Sequence, residues 1–149
     1  MISENGSTVR KTGGLMVEDE LYKLSVRALI QDEKGKVLLA HQDWEKAWET
    51  PGGRVREGES VLDAVRRHVC EATGFQAYPE GVIEFAHGKK KDSKYSQLHI
   101  IFKVKLDSEK KCAPIEGVKT KWFTLAEIKK LEADRKVEWH DERVFDKIA

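Results

Sequence analysis

The sequence predicts an α/β fold, a mixed sheet with helices packed on both of its faces in an α/β/α sandwich. Three observations predict it. Short apolar or alternating runs lie on either side of one well-formed amphipathic segment, turn chemistry separates them, and helical periodicity returns only near the C-terminal end. A length of 149 residues fits one domain with a single buried core.

Residues 1–14 are polar, with glycine and no apolar periodicity, and are expected as a loose tail ahead of one domain over 15–149. Residues 24–30 alternate, Asp32-Glu33-Lys34-Gly35 supplies a turn, and residues 37–40 form an apolar run, so a β-hairpin is expected. Residues 41–50 are polar and interrupted by Trp44 and Trp48; they are expected outside the core, leading into Pro51-Gly52-Gly53. Residues 60–73 are helical. At about 100° per residue, Leu62, Val65 and Val69 share one face, and Ser60, Ala64, Arg67 and Glu71 the other. His68 falls beside the polar face, Ala72 on its border, and Gly74 ends the helix. Residues 82–87 and 95–106 read as strands around a lysine-rich tip at 88–94, and residues 117–123 as a short strand. Thr124 caps a helix over 125–132, and a last helix is expected over 138–148.

A net charge of +1 gives no global reason to expect nucleic acid or a membrane surface as partner. No apolar run approaches the roughly 18 residues of a membrane span, and no secretion signal is expected. Cys70 and Cys112 have neither the number nor the spacing of a disulfide framework or zinc site, so a reducing cytoplasm is the expected compartment.

The chemistry is concentrated between Gly52 and Gly74. Gly53, Glu59, Arg67, Val69, Glu71 and Gly74, with Trp48 before Pro51-Gly52-Gly53, keep without a gap the spacing glycine, five residues, glutamate, seven residues, then Arg-Glu-aliphatic-x-Glu-Glu-x-Gly. This resembles the signature of the Nudix hydrolases, and the Trp122-Phe123 strand before a Leu-Ala-Glu-Ile helix fits the same resemblance. The resemblance implies a Nudix-type sandwich that hydrolyses a pyrophosphate bond with Mg2+ or Mn2+. The substrate would be a nucleoside diphosphate linked to another moiety or a nucleoside triphosphate, and a homodimer is a family-level expectation. It further implies a Glu59–Arg67 ion pair supporting the helix, with Glu71 and the Gly52 carbonyl as metal ligands. Such spacing has a physical reason: acids at i, i+3 and i+4 of a helix make one stripe of hard oxygen donors.

Two positions depart from the pattern. His68 and Ala72 stand where the family places glutamates, leaving Glu71 as the one carboxylate of three. Attenuated activity follows, and a further ligand is expected from outside the motif, Glu116 first and Glu84 second. His68 can be a softer metal ligand, a general base, or an ordinary hydrogen-bonded helix residue. His87 and His99 are conceivable bases, with packing or surface roles as the plainer reading. Arg27 and Trp44 are candidates for substrate phosphate and base; Trp48 is expected to be structural. The lysines at 89–91 can reach a phosphate or simply be solvated. A different class of function stays open: a Nudix-fold binder of a nucleotide or nucleotide sugar, without turnover.

Overall fold

The computed structural model describes the backbone of residues 8–12 and 15–19 and all of residues 21–148. Strands β1 (Thr8–Thr12) and β2 (Leu15–Asp19) pair antiparallel, with Thr8 opposite Asp19 and Thr12 opposite Leu15. Of the tail expected over 1–14, residues 8–12 thus form a ladder, and residues 1–7, 13 and 14 lie outside the described ones.

The central sheet has the order β5-β3-β7-β6. Strand β3 (Tyr22–Leu29) runs parallel to β7 (Ser96–Lys111) and antiparallel to β5 (Gly52–Arg54); β6 (Phe75–Gly88) runs antiparallel on the outer side of β7. Strands β4 (Val37–Gln42) and β8 (Val118–Phe123) make a separate antiparallel pair. Helix α1 (Val61–Thr73) covers one side of the central sheet. Helix α2 (Leu125–Ala133), a 3-10 turn (Trp139–Asp141) and the short α3 (Glu142–Phe145) belong to the other side.

The two sides are written into β3. Val26 and Ala28, with Phe102 and Val104 of β7, pack against Ala64, Val65 and Val69 of α1. Leu29, with Ile101, packs against Ile128, Val144 and Phe145. Successive residues of a strand face opposite ways, so a strand buried on both sides reads as a nearly continuous apolar run. The exception on the second side is its first half: Ser25, Arg27 and, opposite Ser25, His99 are buried and polar. That half is the floor of the site described below.

The sandwich matches the expectation, and several elements differ in detail. The hairpin of 24–40 shrinks to one bridge, Gln31 with Val37, because β4 leaves the central sheet to pair with β8. Residues 41–50 do reach the interior: Glu49 bridges to Ala40, and Glu49 and Thr50 are buried. On α1, Leu62 is 44% exposed and Ala64 fully buried, the reverse of the expected faces. The helix is turned toward the His68 side, where the glycines of β5 leave room for it. The last helix is short, a 3-10 turn followed by one turn of α3.

Cys70 and Cys112 form a disulfide, contrary to the reading from their spacing. Two cysteines 42 positions apart carry no pairing signal by themselves. They meet because the Cys112 N–H donates to the Gly74 carbonyl at 2.9 Å, laying the chain after β7 along the end of α1. Closing a loop of that length ordinarily adds about 2–4 kcal/mol. Reduction, or Cys70→Ser, is expected to lower the urea-unfolding free energy by that amount, and reductant should have no further effect on the variant.

Candidate functional site

Helix α1 starts at Ser60, whose hydroxyl accepts the Asp63 N–H at 3.1 Å, and ends at Gly74 in the left-handed region. Between these ends Arg67 ties the helix to the preceding loop. Its guanidinium donates to Glu59 Oε2 at 2.8 Å, Glu59 Oε1 at 3.0 Å, the Arg54 carbonyl at 3.0 Å and Glu71 Oε1 at 3.4 Å. The hydrogen bond from Arg67 is the main reason the Glu59 carboxyl is held down at about 2. This is the ion pair that the resemblance implied.

His68 sits where the pattern has an acid, and its ring fills the space over Gly53. A Cβ added at Gly53 would lie 2.5 Å from the His68 Cε1, so glycine there is what lets helix and loop approach. His68 Nε2 lies 2.8 Å from the Arg54 carbonyl and Nδ1 lies 3.8 Å from Glu71 Oε2. Burial lowers its pKa, against the pull of the Arg54 carbonyl. The neutral ring therefore donates from Nε2 to Arg54.

On the other side of Gly52 and Gly53 a cleft of about 210 Å³ opens over the polar half of the sheet. Its charged lining is Arg27, Arg54, Lys90, Glu45, Glu49 and Glu138. Among the described residues, one group of three metal-capable side chains has donor atoms all within 4.8 Å of one another: Glu45, Glu49 and Glu138. One buried Glu45 oxygen has no hydrogen-bond partner. Burial, then the neighbouring Glu49 and Glu138 charges, raise the Glu45 pKa. Three converging carboxylates with an unspent oxygen fit a hard divalent cation such as Mg2+ or Mn2+.

Below the cleft lies a buried ionic network. Arg27 Nη1 donates to the Thr50 carbonyl at 2.9 Å and pairs with Glu49 Oε1 at 3.4 Å. Glu49 Oε2 is 3.2 Å from His140 Nε2, and His140 Nδ1 is 3.0 Å from Asp141 Oδ1. Asp141, fully buried, accepts both the N–H and the hydroxyl of Thr50 at 2.7 Å. Burial is the largest influence at Glu49 and Asp141 and opposes their charge, but Arg27 and His140 together for the first, and His140, Arg27 and the Thr50 N–H together for the second, outweigh it and lower both pKa values. Burial is likewise the largest influence on His140 and opposes its charge, but Asp141 and Glu49 together outweigh it and raise that pKa.

His99, stacked on His140 at 4.3 Å, accepts from Arg27 Nε at 3.5 Å and donates to Gln97 at 3.1 Å. Burial, then the His140 and Arg27 charges, depress its pKa from 6.5 to about 3. A histidine depressed in the folded state destabilises the fold as pH falls below its unfolded value, because only the unfolded chain takes up the proton. The urea midpoint is therefore expected to fall between pH 6.5 and pH 5, with His68 acting in the same direction. His99→Gln should flatten that slope.

The structure brings Glu59, Arg67, Glu71 and His68 close together, and seats Gly52 in the cleft wall. Arg27 reaches the cleft already bound to Thr50 and Glu49. Trp44 is 75% exposed and outside the cleft, whereas Trp48 packs edge-on against Phe123. Glu116 is exposed and in no group of three among the described residues; Glu84 is paired with Lys147 at 2.9 Å. His87 is exposed and stacks on Tyr22. Sequence reasoning missed Glu45, Glu49, Glu138, His140 and Asp141. The available signal was the spacing of Glu45 and Glu49 just before the glycines and the Glu138-Trp139-His140-Asp141 run.

A NUDIX domain model matches residues 21–146. An RNA pyrophosphohydrolase of Teredinibacter turnerae is 27% identical over 111 residues, 74% of this chain and 60% of that protein. A putative 8-oxo-dGTP diphosphatase of Bacillus subtilis is 33% identical over 57 residues, 38% of each chain. The chain spans 33%, 60% and 58% of the length of three of the RNA pyrophosphohydrolases that it matches. Among solved structures, a NUDIX hydrolase from Nitrosomonas europaea superposes with a TM-score of 0.70 at 22% identity, covering 85% of this chain and 87% of that one. The MutT protein from Methanosarcina mazei Go1 gives 0.67 at 24% identity, over 87% and 94% of the two chains.

Proposed function

Because the chain belongs to the NUDIX domain family, we propose that it is a divalent-cation-dependent hydrolase of a pyrophosphate bond. The substrate class is a nucleoside triphosphate, the triphosphate end of an RNA, or a nucleoside diphosphate linked to another moiety. The names of the relatives, an RNA pyrophosphohydrolase and a putative 8-oxo-dGTP diphosphatase, support the first two. RNA thereby joins the partners that net charge gave no reason to expect. One observation carries the reading: the Glu59–Arg67–Glu71 chain of ion pairs is made, at 2.8 and 3.4 Å, beside a cleft with three convergent carboxylates.

In this reading Glu45, Glu49 and Glu138 would hold Mg2+ or Mn2+, and Glu71, outside that group on the α1 side of the glycine loop, would be the helix's own carboxylate toward the site. A cation held by these carboxylates would supply neutralisation of phosphoryl oxygens and activation of the attacking water. Arg27 and His140 clamp the two oxygens of Glu49. Arg67 holds α1 against the Arg54 carbonyl, so that Glu71 keeps its place beside the glycine loop. Turnover is slow, because His68 and Ala72 supply no carboxylate from the helix.

The non-catalytic binder has one observation in its favour: the His68 ring is packed over Gly53, where the motif would set a ligand. A panel of triphosphates, a triphosphate-ended oligonucleotide and nucleotide sugars, assayed with Mg2+, with Mn2+ and with chelator, separates the readings. Metal-dependent release of phosphate or pyrophosphate by the wild type supports the hydrolase. No turnover by the wild type, with turnover appearing in His68→Glu/Ala72→Glu, would leave the binder.

A further inference from the structure

We propose that Lys90, at the tip between β6 and β7, is a phosphate-contacting residue that selects ligands with a free terminal phosphate. The inference rests on the cleft being a nucleotide site. Of three consecutive lysines, Lys90 alone lines the cleft; Lys89 and Lys91 do not. The tip turns tightly at this point, with the Ser93 N–H donating to the Lys90 carbonyl at 3.0 Å and Asp92 in the left-handed region at φ 68°.

The charges of the cleft indicate what it can hold. Arg27 is spent on Glu49 and the Thr50 carbonyl. Among the described residues, Arg54 and Lys90 form no ion pair, although they share the wall with Glu45, Glu49 and Glu138. Three carboxylates alone would repel a phosphate chain, and two cations alone would have no use for a metal. A wall bearing both signs suits a metal–polyphosphate complex, the cation toward the acids and free phosphoryl oxygens toward Arg54 and Lys90. A terminal phosphate carries close to two negative charges at neutral pH, against one on each phosphate of a capped diphosphate. Two unpaired cations match the terminal group.

The test measures calorimetric binding of a non-hydrolysable GTP analogue, a triphosphate-ended oligonucleotide and UDP-glucose with Mg2+, alongside KM and kcat for the hydrolysable forms. Lys90→Ala is expected to weaken triphosphate binding and raise KM roughly tenfold or more, the ordinary scale for losing one charge-assisted bond to an anion. It should leave kcat and UDP-glucose binding little changed, Lys90→Arg should restore most of the loss, and Lys89→Ala and Lys91→Ala should match the wild type. Comparison of the free nucleotide with the oligonucleotide tells which source of the triphosphate is preferred. Equal losses in all three lysine variants, or an equal loss on UDP-glucose, would overturn the proposal while leaving hydrolysis intact. Lys90-dependent binding without turnover would instead sink the hydrolase reading and keep the proposal. A wild type that binds none of the three ligands ends both.

Discussion

Replacing Asp141 by alanine is expected to cost about 3–5 kcal/mol of unfolding free energy, the usual scale for breaking a buried ion pair from one side. Its carboxylate is fully buried and takes the N–H and hydroxyl of Thr50 and the charge of His140. Alanine would leave a buried imidazolium beside Arg27 and two orphaned donors at the residue preceding Pro51-Gly52-Gly53. Urea unfolding read by tryptophan fluorescence measures the loss. Asp141→Asn should fall between the variants, keeping part of the hydrogen bonding without the charge. A loss under about 1 kcal/mol, the scale of an ordinary net hydrogen bond, would mean that the network is not held by charge.

The second large effect is catalytic. Glu138→Gln is expected to lower kcat by roughly 10²- to 10⁴-fold, since a metal contributes several kcal/mol to such a reaction and each 1.36 kcal/mol is tenfold. It should also weaken Mn2+ binding, followed by paramagnetic resonance without substrate. Glu71→Gln, measured alongside, is expected to cut kcat on the same scale. Glu116→Gln is the informative companion, because the family resemblance favours Glu116 as the outside acid while the close carboxylate group contains Glu138. A loss at Glu116 with none at Glu138 would put the ion on the α1 side of the glycine loop.

How much of this was legible in the sequence depends on how local the signal is. Arg67, Glu71 and Gly74 are fixed by one helix, so their spacing places them, and the Glu59–Arg67 pair that is found is the one the resemblance implies. Thr124 and Glu127 likewise announce α2, and the capping box is formed. The faces of α1 were misjudged because periodicity ranks Leu62 above Ala64 by hydrophobicity. Close packing against the sheet selects the smaller side chain, and the glycines of β5 draw His68 inward. The disulfide, the carboxylate group and the network under Arg27 were illegible for a common reason. Each joins residues from distant parts of the chain, and local runs such as Glu45 with Glu49 or Glu138 to Asp141 do not say which of them meet.

That distance bears on how the molecule forms. Thr50 and Asp141 are 91 residues apart, and β3 finds its parallel partner only at β7, with Tyr22 opposite Ser96. Contacts of such long range must bear loop-closure entropy before they return stability, and they slow folding. A chain still emerging from the ribosome can pair Arg27 with Glu49, but it cannot complete the network until the segment carrying His140 and Asp141 is free to dock. The ionic floor of the cleft is therefore a late event in folding, and a chain truncated before Trp139 would be left with a central strand whose polar half has nothing to cover it.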